Sequence, residues 1–181
     1  LLTIVAEQHE QQHGRAPRIA MCAPTAKAAA RLSEAVSEQA ATLHEVDRAR
    51  LQGLEASTLH RLLGALPGLV RTRFRHDRHQ RLPHDVVVVD ETSMVALTQM
   101  ARLLEAVRPD ARLVLVGDAD QLASIEAGAV LADVVDGLAD HPAGPVARLR
   151  TVHRFGGAIG RLAEALRTGD ADAALDVLTG D

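Results

Sequence analysis

Aromatic side chains are almost absent from this sequence, which contains two Phe and no Trp or Tyr. Apolar residues nevertheless make up 47% of the chain. A sizeable core is therefore possible, but it has to be built from Leu, Val, Ala and Ile. The length of 181 residues suits one domain, or part of a larger one.

Cysteine and lysine are just as scarce, because Cys22 and Lys27 are the only ones. A single cysteine excludes an intrachain disulfide and a cysteine-based zinc cluster, so we expect Cys22 to be a small buried core residue. The net charge of −4 disfavours a general polyanion binder, so contact with nucleic acid requires a local surface. No apolar run reaches membrane-spanning length and no signal peptide is evident, so we expect a soluble, cytoplasmic protein without a membrane partner.

A run of four valines, Val86–Val89, predicts a strand that is buried on both faces. It ends in Asp90 and Glu91. An apolar strand followed by two acids is typical of a Walker B element, in which the first carboxylate holds Mg²⁺ and the second activates a water. The alternative is that these acids, with the hydroxyls that follow, only cap the next helix.

Strand and helix patterns alternate along the chain, which predicts a parallel sheet with helices on both faces. The strands are predicted at 18–23, 86–89, 113–116 and 146–149, and the helices at 1–13, 26–42, 58–63, 96–107, within 124–135, 156–167 and 171–178. Polar pairs follow the strands: Pro24-Thr25, Asp90-Glu91, Asp118 with Gln121, and His153-Arg154. Because carboxyl ends of parallel strands meet at one edge, we expect these residues to converge on a site for phosphate and metal.

A phosphate-binding loop of the form G-x-x-x-x-G-K-[ST] is missing from the sequence. Lys27 cannot be its lysine, because no glycine lies near it. The chain begins at Leu1 with no Met and no capping residue, as though it were entered inside a helix. We therefore expect an N-terminally truncated domain, in which the cut end and the missing loop explain each other.

Five arginines lie between residues 71 and 81, mixed with histidines. Their alternation predicts a short, solvated basic hairpin inserted at 69–85. An exposed charged face is the simpler interpretation, and a DNA contact is the alternative.

Five segments resemble, in order, the motifs of superfamily 1 DNA helicases. They are CAPTAKAA at 22–29 (motif Ia), STLHRLLG at 57–64 (the threonine-histidine motif), VVVDETSMV at 87–95 (motif II), LVGDADQLASI at 115–125 (motif III) and VHRF at 152–155 (motif IV). The set is most similar to the RecD family, the alpha subunits of exodeoxyribonuclease V. The resemblance implies a RecA-like P-loop NTPase sheet, with residues 1–181 as part of a first motor domain that binds ATP and single-stranded DNA.

The resemblance also implies roles for residues at the nucleotide. Asp90 resembles the carboxylate that holds Mg²⁺ through water, and Glu91 the residue that activates the attacking water. Gln121 resembles a sensor that contacts the γ-phosphate or the attacking water, and Arg154 the arginine that stabilises charge on the transferring phosphoryl group. The alternatives are a loop amide bonded to backbone for Gln121 and an ordinary surface arginine for Arg154.

Two segments resemble the DNA-binding loops of the family. Pro24, Thr25 and Lys27 combine a helix N-terminus, a hydroxyl and a cation, which suits a phosphate. Thr58 and His60 resemble the next DNA contact. The alternatives are helix caps at both threonines, a solvated lysine and a packed histidine.

The function implied by the resemblance is an ATP-dependent 5′-to-3′ DNA helicase motor of a recombination and repair helicase-nuclease, working with RecB- and RecC-like subunits. Because the phosphate loop, the second motor domain and motifs V and VI are missing, we expect these residues alone to be inactive. A stand-alone RecD-like helicase, the helicase part of a conjugative relaxase, and a non-catalytic module that binds DNA or protein remain alternatives. A metal-dependent nuclease using Asp90, Glu91 and Asp118 is disfavoured, because these acids lack a further ligand cluster.

Overall fold

A computed structural model describes residues 1–65, 74–119, 121, 130–149 and 157–179. The chain divides into two compact units, Leu1–Val134 and Val135–Asp181. Within the described residues, no helix combines the length and the apolar character needed to cross a membrane.

A parallel four-stranded sheet forms the centre of the first unit, in the order β2-β1-β3-β4. The strands are β1 (Ile19–Ala23), β2 (Ala56–Thr58), β3 (Val86–Val89) and β4 (Arg112–Leu115). β3 lies between β1 and β4, and all four of its valines are buried. The parallel sheet and the burial of this strand on both faces are therefore as predicted.

Helices precede, separate and follow the strands along the chain. They are α1 (Leu2–His13), α2 (Ala26–Ala41), α3 (Glu45–Leu51), α4 (Leu59–Leu63), α5 (Leu97–Ala106), α6 (Val130–Leu138), α7 (Gly157–Thr168) and α8 (Ala171–Thr179). In the second unit, α7 and α8 pack against each other. Predicted and observed helix ends agree within one residue, except at α3 and α6. α3 was not predicted. α6 extends to Leu138, three residues beyond the predicted limit, and the first half of its predicted range lies outside the described residues.

The two faces of the sheet carry separate apolar clusters, because side chains alternate along a strand. Val87 and Val89 pack with α4 and α5, whereas Val86 and Val88 pack with α1 and with Leu32 of α2. Helices therefore cover both faces, as predicted.

Local capping marks the start of α2 and the end of α1. Thr25 accepts a hydrogen bond from the backbone N of Ala28 over 3.1 Å at the start of α2, and Gly14 ends α1 with a φ of 66°. Cys22 is fully buried in β1, and burial raises the pKa of its thiol to about 12. It is therefore a core residue, as expected.

The predicted strand at Val146–Leu149 is wrong. These residues form no strand, and Leu149 is 98% exposed. The strand that was not predicted is β2, which pairs with β1 through Ala56–Thr58. Three residues with two hydroxyls carry no apolar pattern, so only pairing with β1 makes them a strand. An apolar run that has no neighbouring strand forms no hydrogen-bonded pairs with one, so it does not become a strand.

The basic segment is described only from Phe74 onward. Phe74 forms an isolated antiparallel bridge with Ala65, and the Asp77 carboxylate accepts hydrogen bonds from the backbone N of His79 and Gln80 over 2.7 and 2.9 Å. These bonds lower the pKa of Asp77. Leu82 is buried rather than solvated. The hairpin at 69–85 stays a prediction, because residues 66–73 lie outside the described part of the chain.

Candidate functional site

The carboxyl ends of the four strands meet at one edge of the sheet. Ala23 pairs with Thr58, Cys22 with Val89, and Val89 with Leu115, so the loops after all four strands begin at the same level. This edge carries the predicted polar residues that follow β1, β3 and β4. The fourth strand at this edge is β2, which ends in Thr58, whereas His153 and Arg154 lie outside the described residues.

The turn after β3 places the two acids of motif II. The backbone N of Asp90 donates to the carbonyl of Cys22 over 2.9 Å, which ties the turn to β1. The Asp90 Oδ1 accepts from the backbone N of Glu91 over 2.9 Å, and Oδ2 takes no part in that bond. Asp90 is half-buried and Glu91 is exposed. The carboxylates therefore sit where a hydrated metal and a water can reach them.

Glu91 has a left-handed backbone, with φ 51° and ψ 41°, and is the one non-glycine residue with positive φ among those described. Such a conformation costs an L-residue about 1–2 kcal/mol. It persists only where the surrounding structure holds it in place. A strained residue of this kind, carrying an exposed carboxylate at a sheet edge, is a candidate for function.

The next two residues hold that turn. Thr92 is fully buried, donates through Oγ1 to the carbonyl of Val89 over 3.0 Å, and donates through its backbone N to the carbonyl of Val116 over 2.9 Å. With Ser93 and Met94 it forms a single 3-10 turn, whereas α5 begins only at Leu97. The alternative that residues 90–93 cap the next helix is therefore wrong.

The loop after β4 packs closely on this turn because residue 117 is a glycine. A Cβ on Gly117 would lie 2.8 Å from Cδ2 of Leu131, 3.0 Å from the backbone N of Thr92 and 3.1 Å from that of Ser93. A side chain would force the two loops apart. Glycine at the end of β4 is thus a requirement of the close approach.

Gln121 completes the edge. Its backbone N donates to the carbonyl of Asp118 over 3.3 Å, which closes a turn, and its Oε1 accepts from the Ser93 hydroxyl over 3.0 Å. The structure thus brings Asp90, Glu91 and Gln121 to one edge. Arg154 lies outside the described residues.

The donor set at this edge suits Mg²⁺ bound together with a nucleotide. Mg²⁺ keeps several waters and takes its other ligands from substrate phosphates and from one or two protein carboxylates. One aspartate can supply that carboxylate. In the part of the chain that the structure describes, no three His, Cys, Asp or Glu side chains converge to hold a metal by themselves.

The residues of the predicted DNA loop lie at the N-terminus of α2. The Thr25 hydroxyl caps the helix, as the simpler alternative requires, while Lys27 in the first turn is exposed. The positive end of a 16-residue helix dipole and the lysine charge are thus on the same surface. The arrangement suits a phosphate without excluding the capping role.

Thr58 and His60 have partners within the protein. The Thr58 hydroxyl caps α4 by accepting from the backbone N of Arg61 over 3.2 Å. The His60 ring lies 5.8 Å from the Phe74 ring, between centroids, and its Nε2 lies 3.1 Å from Nε2 of Gln99. The packed-histidine alternative thus describes what is seen. Phe74 and Gln99 were missed, because neither stands near His60 in sequence.

A family model described as an AAA domain matches residues 1–181. The chain belongs to the AAA domain family. This AAA domain is 66% identical over 178 residues to the RecBCD enzyme subunit RecD of Mycobacterium tuberculosis, covering 98% of the chain and 30% of that protein. It is 40% identical over 136 residues to the ATP-dependent RecD2 DNA helicase of Deinococcus radiodurans, covering 75% of the chain and 15% of that protein.

Among solved structures, a chain from a complex of two coordinating Pif1 helicases at forked double-stranded DNA is 17% identical to the AAA domain, with a TM-score of 0.45, covering 98% of this chain and 44% of that one. The identity to RecD confirms the predicted resemblance. The parallel sheet and the family model confirm the RecA-like α/β class. The chain spans about 30% of the length of the RecD relative.

Proposed function

We propose that this AAA domain is part of an ATP-dependent DNA helicase motor of the RecD type. The observation that carries the proposal is the meeting of Asp90, Glu91 and Gln121 at the carboxyl edge of a RecA-like sheet. The proposal is also supported by relatives named as a RecD subunit and as a RecD2 DNA helicase. ATP and Mg²⁺ are its proposed cofactors.

In the proposed reaction each residue acts on a defined atom. Asp90 would hold Mg²⁺ through water, and the ion would supply charge neutralisation at the phosphates. Glu91 accepts a proton from the attacking water, for which its exposed carboxylate is accessible. Gln121 contacts the γ-phosphate. Arg154 is proposed to stabilise charge on the transferring phosphoryl group, on the basis of the motif IV resemblance.

Single-stranded DNA is the proposed substrate of the same motor. Lys27 offers an exposed charge beside the N-terminus of α2, with Pro24 and Thr25 shaping the loop. Thr58 begins α4 at the same edge, and His60 lies in its first turn. Phosphate contacts from a helix start give affinity without reading sequence, as a translocating motor requires.

The assembly and setting are part of the proposal. A relative named as a RecBCD subunit supports RecB- and RecC-like partners, and a stand-alone RecD-like helicase is the alternative. Affinity purification of the tagged full-length protein from its own cells distinguishes them: RecB- and RecC-like subunits co-purify in the first case only. A 5′-to-3′ direction and a cytoplasmic site of action complete the proposal, the latter because the proposed substrate is DNA.

The test is ATP hydrolysis by the full-length protein that carries this domain, with and without single-stranded DNA. Glu91→Gln should lower the DNA-stimulated kcat by about 100-fold or more while ATP still binds, because it removes the general base. Glu34→Gln, the same change at an exposed residue of α2, is the control. Hydrolysis that is absent, or equal in Glu91→Gln and the parent protein, would contradict the proposal.

A further inference from the structure

We infer that Ser93 is a positioning residue, which turns the amide of Gln121 so that its NH2 group rather than its carbonyl faces the γ-phosphate. The inference rests on the proposed ATP hydrolysis and adds to it a residue and a hydrogen-bond polarity. Ser93 is two residues beyond Glu91, so one short turn would carry the base and orient the sensor.

The first support is the hydrogen bond itself. The Ser93 hydroxyl donates to Oε1 of Gln121 over 3.0 Å. Ser93 is only 8% exposed, so water has little access to replace a lost partner. Gln121 is exposed at the other end of the bond. One end of the amide is therefore held by the protein and the other is open to a ligand.

The second support is the backbone around the bond. The backbone N of Thr92 donates to the carbonyl of Val116, and Gly117 allows the two loops to approach to a separation that a side chain would prevent. The turn from Asp118 to Gln121 then fixes where the glutamine begins. Both partners of the bond thus sit on backbone segments that are tied to each other.

The third support is the chemistry of the two ends. An amide has a carbonyl that only accepts and an NH2 group that only donates, whereas a phosphate oxygen only accepts. With the carbonyl bonded to Ser93, the NH2 group is the end left to meet a phosphate. In the reverse orientation the Ser93 hydroxyl would accept from the NH2 group, and the amide carbonyl would face the phosphate as a second acceptor. In the observed orientation Gln121 is a donor to the γ-phosphate, and not an acceptor from the attacking water.

The experiment measures DNA-stimulated ATP hydrolysis by the full-length protein, with ATP affinity from a fluorescent ATP analogue and Tm from thermal unfolding. Ser93→Ala should lower kcat about tenfold, as expected for one hydrogen bond, with little change in ATP affinity or Tm. The double variant Ser93→Ala with Gln121→Ala should be no slower than Gln121→Ala alone. Ser37→Ala, the same change at an exposed serine of α2, should match the parent protein.

Gln121→Glu provides a second, surface-exposed variant that keeps an acceptor for Ser93 but removes the NH2 donors. It should be at least as slow as Gln121→Ala. A Gln121→Glu protein that hydrolyses ATP at the parent rate would overturn the inference. So would a double variant whose loss of kcat equals the product of the losses in Ser93→Ala and Gln121→Ala. A loss of kcat in Ser93→Ala that is accompanied by an equivalent loss of Tm would also overturn it. If Glu91→Gln abolishes hydrolysis while Ser93→Ala is normal, only this inference fails. A full-length protein that does not hydrolyse ATP would overturn both it and the proposed function.

Discussion

Arg15 and Asp85 form a bidentate ion pair at the amino edge of the sheet, with Arg15 Nη1 and Nη2 donating to Oδ2 and Oδ1 of Asp85 over 2.7 and 2.9 Å. Arg108 Nη2 and the backbone N of Arg18 donate to the same carboxylate, each over 2.8 Å. The Asp85 side chain is only 2% exposed. One buried acid thus joins the chain before β1, the start of β3 and the loop before β4.

Asp85→Asn should lower the free energy of unfolding by about 2 kcal/mol at neutral pH, because the buried carboxylate accepts charge-assisted hydrogen bonds from Arg15 and Arg108 that a neutral amide only partly replaces. Arg15, helped by Arg18 and Arg108, holds the pKa of Asp85 well below its usual value of 3.8. The ionised acid therefore stabilises the fold above about pH 4, and this contribution is lost as the pH falls further. The difference in free energy of unfolding between the parent protein and Asp85→Asn should therefore become smaller between pH 5 and pH 3.

Urea unfolding followed by circular dichroism measures this effect, since the chain has no Trp or Tyr to report by fluorescence. Asp110→Asn is the control, because Asp110 is 75% exposed although it also lies near Arg108. It should change stability by less than about 1 kcal/mol. A gap for Asp85→Asn that stays constant down to pH 3 would contradict the assigned cause.

Glu91→Gly should stabilise the fold while it abolishes the proposed hydrolysis. Glycine adopts φ 51° without the penalty that Glu91 carries, so we expect a gain of about 1 kcal/mol in the free energy of unfolding. Glu91→Ala is the matched control, because it also removes the carboxylate but keeps a Cβ in the left-handed region. Equal stability of the two variants would show that this backbone stores no strain.

Gly117→Ala should destabilise the protein by about 1–3 kcal/mol, because its Cβ would press on Leu131 and on the turn at Thr92. Gly137→Ala is a matched control in α6, where a Cβ meets nothing within 4 Å. It should leave stability unchanged or raise it by up to about 1 kcal/mol, since alanine favours a helix. The urea midpoints of both variants measure these changes in stability. If the free energy of unfolding changed with the same sign in both variants, the close-packing argument would be refuted.

Lys27→Gln should weaken single-stranded DNA binding by the full-length protein without changing its Tm. Lys27 is exposed, so its removal costs no packing. Loss of one phosphate contact should reduce the slope of log affinity against log salt by about 0.7. Arg102→Gln, at an exposed arginine that pairs with Glu105 on α5, is the control. An unchanged salt slope in Lys27→Gln would remove this residue from the DNA surface.

Much of the sheet was predictable because its signals are local. Four adjacent valines produced β3, and a threonine before an apolar helical pattern marked the start of α2. The order of these elements also predicted a shared carboxyl edge for Asp90, Glu91 and Gln121. Such signals depend on neighbouring residues, whose backbone preferences and apolar spacing persist in the folded chain.

Other features were hidden because their partners are far apart in sequence or because a weak pattern needs a neighbour. β2 forms by pairing with β1, and the expected strand at Val146–Leu149 did not form. α3 was also missed, since its seven residues are mostly charged and carry little apolar spacing.

The sequence by itself determined the buried central strand, the helix starts at Thr25 and Thr58, and the acids that end β3. Only the tertiary structure decided that Ser93 binds Gln121, 28 residues away, and that Asp85 binds Arg15, 70 residues away. The turn at Glu91 is likewise joined to the chain just after β4, through the bond from the backbone N of Thr92 to the carbonyl of Val116. The physical reason is that these contacts exist only after folding has brought distant segments together, and no local propensity records them.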